Sequence, residues 1–282
     1  MISDYQTNKV YLAKGLTHYM PMCKNLLHVL MSEGIPICLP SGTTSKKHGW
    51  VRDYMPIQLS EKRFLRYVYS PDYLKGYEEY IPNYKGIDMD LNLNCTCTDI
   101  VIDGGNVIKC GQKVIMTDKV LMENNIRYKK NELLAKLKQL FEAEVVLIPW
   151  DRYDEYGHAD GMVRYIEGNK VLLNNYVDFD PALRKRLLAA LTPHFEVEEL
   201  QYGHRHQSKY SWAYINFLQT EKCILVPGLG IKADGLAMEQ IKELYPQHNV
   251  IIIDGCRSLV RDGGALNCCT WNVMSDISIT QE

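Results

Sequence analysis

The chain has 282 residues, 46% of them hydrophobic and 23% charged, so it can bury a sizeable core and is not expected to be disordered. A formal net charge of −2 and a pI of about 6.5 argue against nucleic acid as the main partner. Nine cysteines, an odd number, fit a reduced, cytoplasmic protein better than a disulfide scaffold. The first residues lack the basic and apolar regions of a signal peptide, and no apolar run approaches the roughly 18 residues of a membrane helix, so no membrane partner is expected.

Apolar residues at helical spacing alternate along the chain with short apolar runs that are typical of strands. Helices are predicted over 18–33, 130–143, 181–195 and 234–245. Strands are predicted at 35–39, 145–149 and 250–254. This alternation predicts an α/β architecture.

Four segments have the pattern of β-hairpins, and each carries a small polar residue near its start; they span 50–70, 103–118, 157–176 and 213–228. When the segments are aligned, one register holds Asp53, Asn106, Asp160 and Asn216, and a further step of similar size reaches Cys268. The five residues recur at intervals of 52 to 56 residues, so the chain has room for five units.

A hairpin, a helix and a strand repeated five times predict a closed ring of α/β blades. Equivalent positions in such a ring face a central pocket. We therefore expect a single domain over 1–282, with a strand around 9–14 completing the last blade.

The polar residues of two hairpins indicate a shared pocket. Arg52 and Asp53, taken as neighbours in a strand, are expected to face opposite ways, so that Asp53 faces the axis. His158 and Asp160, two positions apart in a strand, are expected to face the same way. Together with Cys268, they form a candidate cysteine–histidine–carboxylate site.

A flat cation attacked at carbon suits such a site. Two carboxylates, Asp53 and Asp160, can hold the parallel N–H donors of a guanidinium group in a bidentate manner. The thiolate of Cys268 can then attack the central carbon, while His158 protonates the departing ammonia and later activates a water. The products would be a ureido compound and ammonia.

These residues lie in motifs that resemble a known family. WVRDYMP, DGGN, GHADGMVRY, AYINF and GGALNCCTWN, in order from Trp50 to Trp271, are similar to the motifs of the agmatine deiminase and bacterial, Porphyromonas-type peptidylarginine deiminase family. That family belongs to the guanidino-group-modifying enzymes, whose fold is a five-bladed α/β propeller, or pentein. The resemblance implies a hydrolase of a small guanidino compound, with agmatine first, and with no cofactor or metal.

The resemblance also implies roles for individual residues. It makes Cys268 the nucleophile, His158 the general acid and base, and Asp53 and Asp160 the guanidinium clamps. The further residues expected to bind substrate are Asn216, Asp103 and Trp50, with Asp103 standing where many relatives have a glutamate near the histidine. The glycines expected to shape the backbone are Gly104, Gly105, Gly263 and Gly264.

Some departures from the family pattern leave the far end of the substrate open. Asn267 stands where a histidine commonly precedes the nucleophile, and Trp271 stands where glutamine is common. A Pro-Glu-Trp element that many agmatine deiminases carry before the first blade is not found. Agmatine, arginine, methylated arginine and peptidyl-arginine all remain candidates. The secretion signal and extra domain of the bacterial peptidylarginine deiminases are also not found, which favours a small intracellular substrate.

Three other functions are weighed against hydrolysis. A metal hydrolase would use His204-x-His206 or Cys95-x-Cys97, but neither pair has the partner pair of a structural zinc site or falls in the register of five. A guanidino-binding protein would need the acids without the thiol, and an amidinotransferase would share every residue named.

Cys269 is expected to pack, facing away from Cys268 in an extended segment. The oligomeric state stays open, with a homodimer as one option.

Overall fold

A computed structural model describes residues 1–203 and 211–275 of the chain. Its strands are β1 (Lys9–Leu12), β2 (Ile37–Cys38), β3 (Ile57–Ser60), β4 (Arg63–Val68), β5 (Cys95–Val101), β6 (Ile108–Cys110), β7 (Lys113–Thr117), β8 (Glu144–Ile148), β9 (Val163–Tyr165), β10 (Lys170–Leu173), β11 (Glu196–Glu199), β12 (Leu218–Gln219), β13 (Cys223–Pro227), β14 (Asn249–Ile253) and β15 (Thr270–Val273). Its α-helices are α1 (Met22–Ser32), α2 (Val51–Tyr54), α3 (Tyr84–Asp90), α4 (Lys119–Glu123), α5 (Lys130–Phe141), α6 (Tyr176–Phe179), α7 (Pro181–Leu191), α8 (Ala233–Leu244) and α9 (Arg257–Arg261).

The strands form five three-stranded sheets that share one plan. In each sheet an antiparallel pair of strands, which is a hairpin in four of the five, is followed by one or two helices and then by a third strand, parallel to its neighbour; β6, β7 and β8 are one example. The last sheet joins the two ends of the described chain, because β1 pairs with β15 on one side and with β2 on the other. The five sheets fit the five repeats predicted from the sequence, and β1 lies where a completing strand was predicted.

The four predicted long helices are present as α1, α5, α7 and α8; the first three are somewhat shorter than predicted, and α8 has the predicted length, shifted by one residue. Helix α5 buries Leu133, Leu137 and Phe141, which recur at helical spacing on one face. Helix α7 begins where the side chain of Asp180 accepts a hydrogen bond from Leu183 N. Among the helices of 1–203 and 211–275, none is long and apolar enough to cross a bilayer.

The candidate site residues lie in tight turns, and the prediction that they lie in strands was wrong. Asp53 is on α2, and Asp160 is on a 3-10 helix at Ala159–Gly161. Such segments close short backbone hydrogen bonds, such as Met162 N to Ala159 O at 2.9 Å, instead of the ladder bonds of a strand. Cys268 lies in the turn before β15, so the five residues of the register each come just before the first strand of a sheet.

Cys269 is likewise in that turn, and the extended segment predicted around it is not formed. Its N–H donates to Ala265 O at 3.2 Å, as in a helical turn. Its side chain is fully buried in the apolar core, as predicted. The side chain of Cys268 is not part of that core.

The side chains of β4 hold α2, and therefore Asp53, in place. Tyr67 is buried, and its hydroxyl donates to Met55 O at 2.8 Å and also to Asp53 O. Arg66 donates to Tyr54 O and forms a buried ion pair with Asp88 of α3. Because these carbonyls are buried, losing their donors would leave them without hydrogen bonds, which makes the position of α2 well determined.

We predict that Leu12→Ala in β1 lowers the free energy of unfolding by about 2–5 kcal/mol, because Leu12 is buried beside β15 and its truncation leaves a cavity. Met31→Ala, on the exposed side of α1, should change the free energy by no more than about 0.5 kcal/mol. Urea titration of both variants checks this. Equal effects would mean that β1 does not support the last sheet.

Candidate active site

Two cavities meet at the turn that carries Cys268. The larger has a volume of about 260 Å³ and is lined by Lys47, Trp50, Asp53, Tyr54, Tyr69, Tyr73, Leu74, Tyr80, Tyr156, His158, Asp262, Gly263 and Cys268. The smaller, of about 40 Å³, shares four of these residues and adds Asp151, Asp154, Asp160, Gly161, Met162, Tyr176 and Asn216. The structure therefore brings together the thiol, the imidazole and both carboxylates that the sequence singled out.

The thiol of Cys268 contacts two side chains from other turns. Its Sγ lies 3.2 Å from Asn216 Oδ1 and 3.6 Å from Asp160 Oδ2. The backbone N–H of Cys268 donates to the same Asn216 oxygen at 3.2 Å, which fixes the orientation of that amide. Burial raises the pKa of the Cys268 thiol well above its usual value, and the charges of Asp160 and Asp53 raise it further. In the free protein at neutral pH, Cys268 is therefore protonated.

The imidazole of His158 lies between two carboxylates. Its Nε2 is 2.9 Å from Asp103 Oδ2, and its Nδ1 is 3.5 Å from Asp53 Oδ1. Burial lowers the pKa of His158, but Asp53 and Asp103 outweigh this effect and raise it to about 10. His158 is therefore a cation at neutral pH, which is the form that can donate a proton.

Asp103 is placed behind the imidazole. It is 1% exposed and lines neither cavity, so the structure does not place it against a substrate as expected. Its contact with His158 instead orients the ring and favours the protonated form. We treat Asp103 as a positioning residue.

Asp53 and Asp160 face the thiol from two turns. Asp53 accepts a hydrogen bond from Gly105 N at 3.1 Å. Burial raises the pKa of Asp53 to about 7, a rise that His158 opposes and that Asp103 and Asp160 increase. Three carboxylates and one imidazolium thus lie in one buried site, and the excess of negative charge favours a cationic ligand.

Next to this acidic group lies a cationic layer, formed by Arg52, Lys109 and Arg164, which no pattern in the sequence predicted. Arg164 donates to Asn267 Oδ1 at 2.9 Å, and Asn267 Nδ2 donates to Asp160 Oδ2 at 2.7 Å. Arg164 also binds Asp4 at 2.9 Å, and the same carboxylate pairs with Lys109. Burial alone would raise the pKa of Asp4, but these cations hold it below its usual range. Asn267, the residue before Cys268, therefore connects the two layers.

Arg52 completes the cationic layer. Its Nε donates to Asn267 O at 3.2 Å, and its backbone N–H donates to Cys268 O at 3.1 Å. Arg52 and Asp53 therefore point into different layers, as predicted, although they lie on a helix and not on a strand.

Aromatic side chains form the walls of the larger cavity. Trp50, which the sequence analysis expects to bind substrate, is one of its lining residues, and the rings of Tyr73 and Tyr156 meet edge to face at 5.0 Å between centroids. Tyr73 also packs against the ring of His158 at 6.0 Å. Neither tyrosine was singled out in the sequence, because no periodicity connects them to the register of five.

The predicted glycines lie where side chains would collide. A Cβ on Gly105 would stand 2.7 Å from both Asp53 Oδ1 and His158 Nδ1. Gly263 has a φ of +105°, and a Cβ there would stand 2.3 Å from Tyr156 Oη. Close contacts likewise restrict Gly104 and Gly264, which face Arg52 O and the Trp50 ring respectively.

The other residues considered from sequence lie outside this site. Asn106 accepts a hydrogen bond from Thr117 N at 2.8 Å and lines neither cavity. Cys95 and Cys97 are free cysteines of β5. His204 and His206 fall outside the described residues. Within 1–203 and 211–275, no group of three or more histidine, cysteine or acidic residues is arranged to hold a metal ion.

Comparisons with known proteins identify relatives of this chain. Agmatine deiminase of Pseudomonas fluorescens is 25% identical over 207 residues, which are 60% of this chain and 56% of that protein. The chain thus spans little more than half the length of that relative. Agmatine deiminase of C. jejuni superposes with a TM-score of 0.74 at 17% identity, covering 97% of this chain and 95% of that structure. Agmatine deiminase of Enterococcus faecalis superposes with a TM-score of 0.72 at 17% identity, covering 98% and 96%.

The structural similarities show that the chain has the mixed α/β fold of these proteins. A family model described as Porphyromonas-type peptidyl-arginine deiminase matches residues 41–273, a range that contains all the motifs from Trp50 to Trp271. The chain therefore belongs to the Porphyromonas-type peptidyl-arginine deiminase family.

Proposed function

We propose that this protein is a hydrolase that removes ammonia from the guanidinium group of agmatine, leaving N-carbamoylputrescine. The observation that carries the proposal is the meeting of Cys268, His158, Asp53 and Asp160 at two joined cavities. Relatives named agmatine deiminase support the choice of substrate. An assay for a ureido product and ammonia, run across agmatine, arginine, methylated arginines and short arginyl peptides, tests it.

Capture of the cation is the first step. Asp53 and Asp160 accept the N–H donors of the guanidinium, one carboxylate on each side of the thiol. The substrate's positive charge balances carboxylates that otherwise repel each other. The bound cation also weakens the effect of the Asp160 and Asp53 charges, which raise the pKa of Cys268. Binding of the substrate therefore favours release of the thiol proton to solvent.

Attack then forms a bond between Sγ of Cys268 and the guanidinium carbon. His158, held protonated by Asp53 and Asp103, gives its proton to the departing amino group, and ammonia leaves. The intermediate is an S-alkylthiouronium cation attached to Cys268, and His158 is now neutral.

Water completes the reaction. Neutral His158 accepts a proton from a water as its oxygen attacks the same carbon. The carbon–sulfur bond then breaks while the hydroxyl of the adduct loses its proton to solvent, which restores the thiolate and releases the neutral ureido product. Asn216 supports this step: its Nδ2 is buried beside the smaller cavity and has no hydrogen-bond partner in 1–203 or 211–275, so it can donate to the attacking oxygen.

The proposal includes a ring of five blades that surrounds the site in a single domain over 1–282. Contacts between turns of different sheets support this arrangement. Gly105 N binds Asp53, Arg52 N binds Cys268 O, and Asn267 N binds Asn216 O. Pairing of β1 with β15 joins the ends of the chain in the last blade.

Cys268→Ala should lower kcat at least about 10³-fold and leave agmatine binding largely intact, because it removes the nucleophile and keeps the carboxylates. A haloacetamidine should label the wild type at Cys268. Cys97→Ala, which removes an exposed cysteine of β5, is the matched control and should keep both turnover and labelling. Turnover by Cys268→Ala, or labelling elsewhere only, would refute the mechanism.

Neutralising either clamp should lower kcat/KM for agmatine about 10- to 100-fold, since a buried charge-assisted hydrogen bond becomes a neutral one. The variants are Asp53→Asn and Asp160→Asn. Asp99→Asn, which neutralises an exposed carboxylate on β5 that lines neither cavity, is the control and should match the wild type. Steady-state kinetics decide the matter, and unchanged constants in both clamp variants would contradict the assignment.

The pH dependence of kcat/KM should be bell-shaped. It should rise as pH increases through about 7, where Asp53 loses its proton and becomes a clamp, and fall as pH increases through about 10, where His158 loses the proton that it must donate. Because these groups contact each other, the two values belong to the pair. Asp103→Asn removes an anion beside the imidazole and should move the upper limb to lower pH. A maximum below pH 6 would contradict this prediction.

A further inference from the structure

One carboxylate at the larger cavity has no part in the mechanism above. Asp262 lines this cavity next to Gly263, and its side chain is 33% exposed. Its Oδ2 lies 2.6 Å from Nζ of Lys46 and accepts a hydrogen bond from the hydroxyl of Tyr19 at 3.0 Å. No donor of residues 1–203 or 211–275 contacts its Oδ1. The carboxylate therefore has an oxygen that can accept a hydrogen bond from an incoming ligand.

Lys46 places a primary ammonium group in a defined setting. Its Nζ contacts the Asp262 carboxylate and lies 4.9 Å from the centroid of the Tyr19 ring. A carboxylate, a hydroxyl and an aromatic face are the groups that recognise an alkylammonium ion. The ring of Tyr19 also packs against Trp50, a wall of the cavity, at 6.3 Å. The protein thus already holds an ammonium group against Asp262, one of the residues that line the larger cavity.

This internal ammonium is easily exchanged. The side chain of Lys46 is 50% exposed, and ion pairs this accessible to water contribute little to stability. Burial acts to raise the pKa of Asp262, but Lys46 and Tyr19 outweigh this effect and lower it, so the carboxylate is charged at neutral pH. An incoming ammonium group therefore meets a charged partner that it can take over at small cost.

We propose that Asp262 and Tyr19 form a subsite for a primary ammonium group at the far end of the substrate, a subsite that Lys46 occupies in the free protein. This inference rests on the proposed function, which places the guanidinium end at Cys268 in the same cavity. The aromatic walls between the two ends suit the methylene chain of agmatine. Substrate binding displaces the Lys46 side chain from the carboxylate.

Another lysine, Lys47, could bind the α-carboxylate of arginine, the rival substrate. Lys47 lines the cavity, and its Nζ lies 3.0 Å from Glu79 and 4.9 Å from the centroid of the Tyr80 ring. Lys47 is paired with Glu79 as Lys46 is paired with Asp262, but Asp262 has a second oxygen, Oδ1, that no donor of residues 1–203 or 211–275 contacts. An α-carboxylate, as in free arginine, would require Lys47 to exchange its partner. The structure therefore favours an amine over an amino acid at this end.

The test compares two ligands that differ only at the far end, agmatine and n-butylguanidine. Their dissociation constants are measured by calorimetry on the Cys268→Ala background, so that no turnover occurs. Asp262→Asn should lower the preference for agmatine about tenfold and leave binding of n-butylguanidine unchanged. Lys46→Met removes the internal competitor and should raise the preference about two- to fivefold. Thermal melting of each variant separates loss of fold from loss of the subsite.

Three results would overturn the subsite. One is a preference for agmatine that survives Asp262→Asn in a folded protein. The second is a preference that falls in Lys46→Met, because Lys46 would then not compete with the substrate for Asp262. The third is tighter binding of arginine than of agmatine that is lost in Lys47→Met, because Lys47 would then bind the far end of the substrate. Failure of the proposed function is recognised separately, because it would appear as wild-type protein that forms no ureido product and is not labelled at Cys268.

Discussion

Excess negative charge in a buried space is the constraint on which the rest of the structure depends. Asp53 and Asp103 contact the imidazole of His158, Asp160 lies beside Cys268, and burial of unbalanced charge is strongly unfavourable. Two features offset it in the free protein: the raised pKa values of Asp53 and His158, and the cationic layer that reaches Asp160 through Asn267. A guanidinium ion supplies the remaining charge, so the binding and the chemistry that we propose follow from the same imbalance.

The fold makes this crowding of charges achievable. Each charged side chain of the site stands on a short turn that directly precedes the first strand of a sheet, and the buried hydrogen bonds of β4 and the turns hold those segments in position. Glycine at Gly105 leaves room for two charged groups to approach the same point. Rigid placement of this kind lets carboxylates that repel one another remain close to a thiol, and it makes their pKa values properties of the fold.

Much of this was readable from the sequence, because five equivalent turns recur at nearly equal spacing and hydrophobic periodicity records the helices between them. The strand assignment of Asp53 and His158 was wrong because short polar segments carry no periodicity that distinguishes a turn from a strand. The cationic layer was missed for another reason: Arg164 meets Asp4 across the chain, and no local pattern encodes such a contact. The position of Asp103 behind the imidazole also required the folded structure.

The most direct test of the account is the mass of the protein during turnover. Wild-type protein mixed with agmatine and quenched in acid within milliseconds to seconds should carry an added substrate fragment, and peptide mapping should locate it on Cys268. The added mass should correspond to agmatine less one ammonia, as the S-alkylthiouronium intermediate requires. Rapid formation of ureido product with no adduct at any quench time, or an adduct on another residue, would contradict covalent catalysis by Cys268.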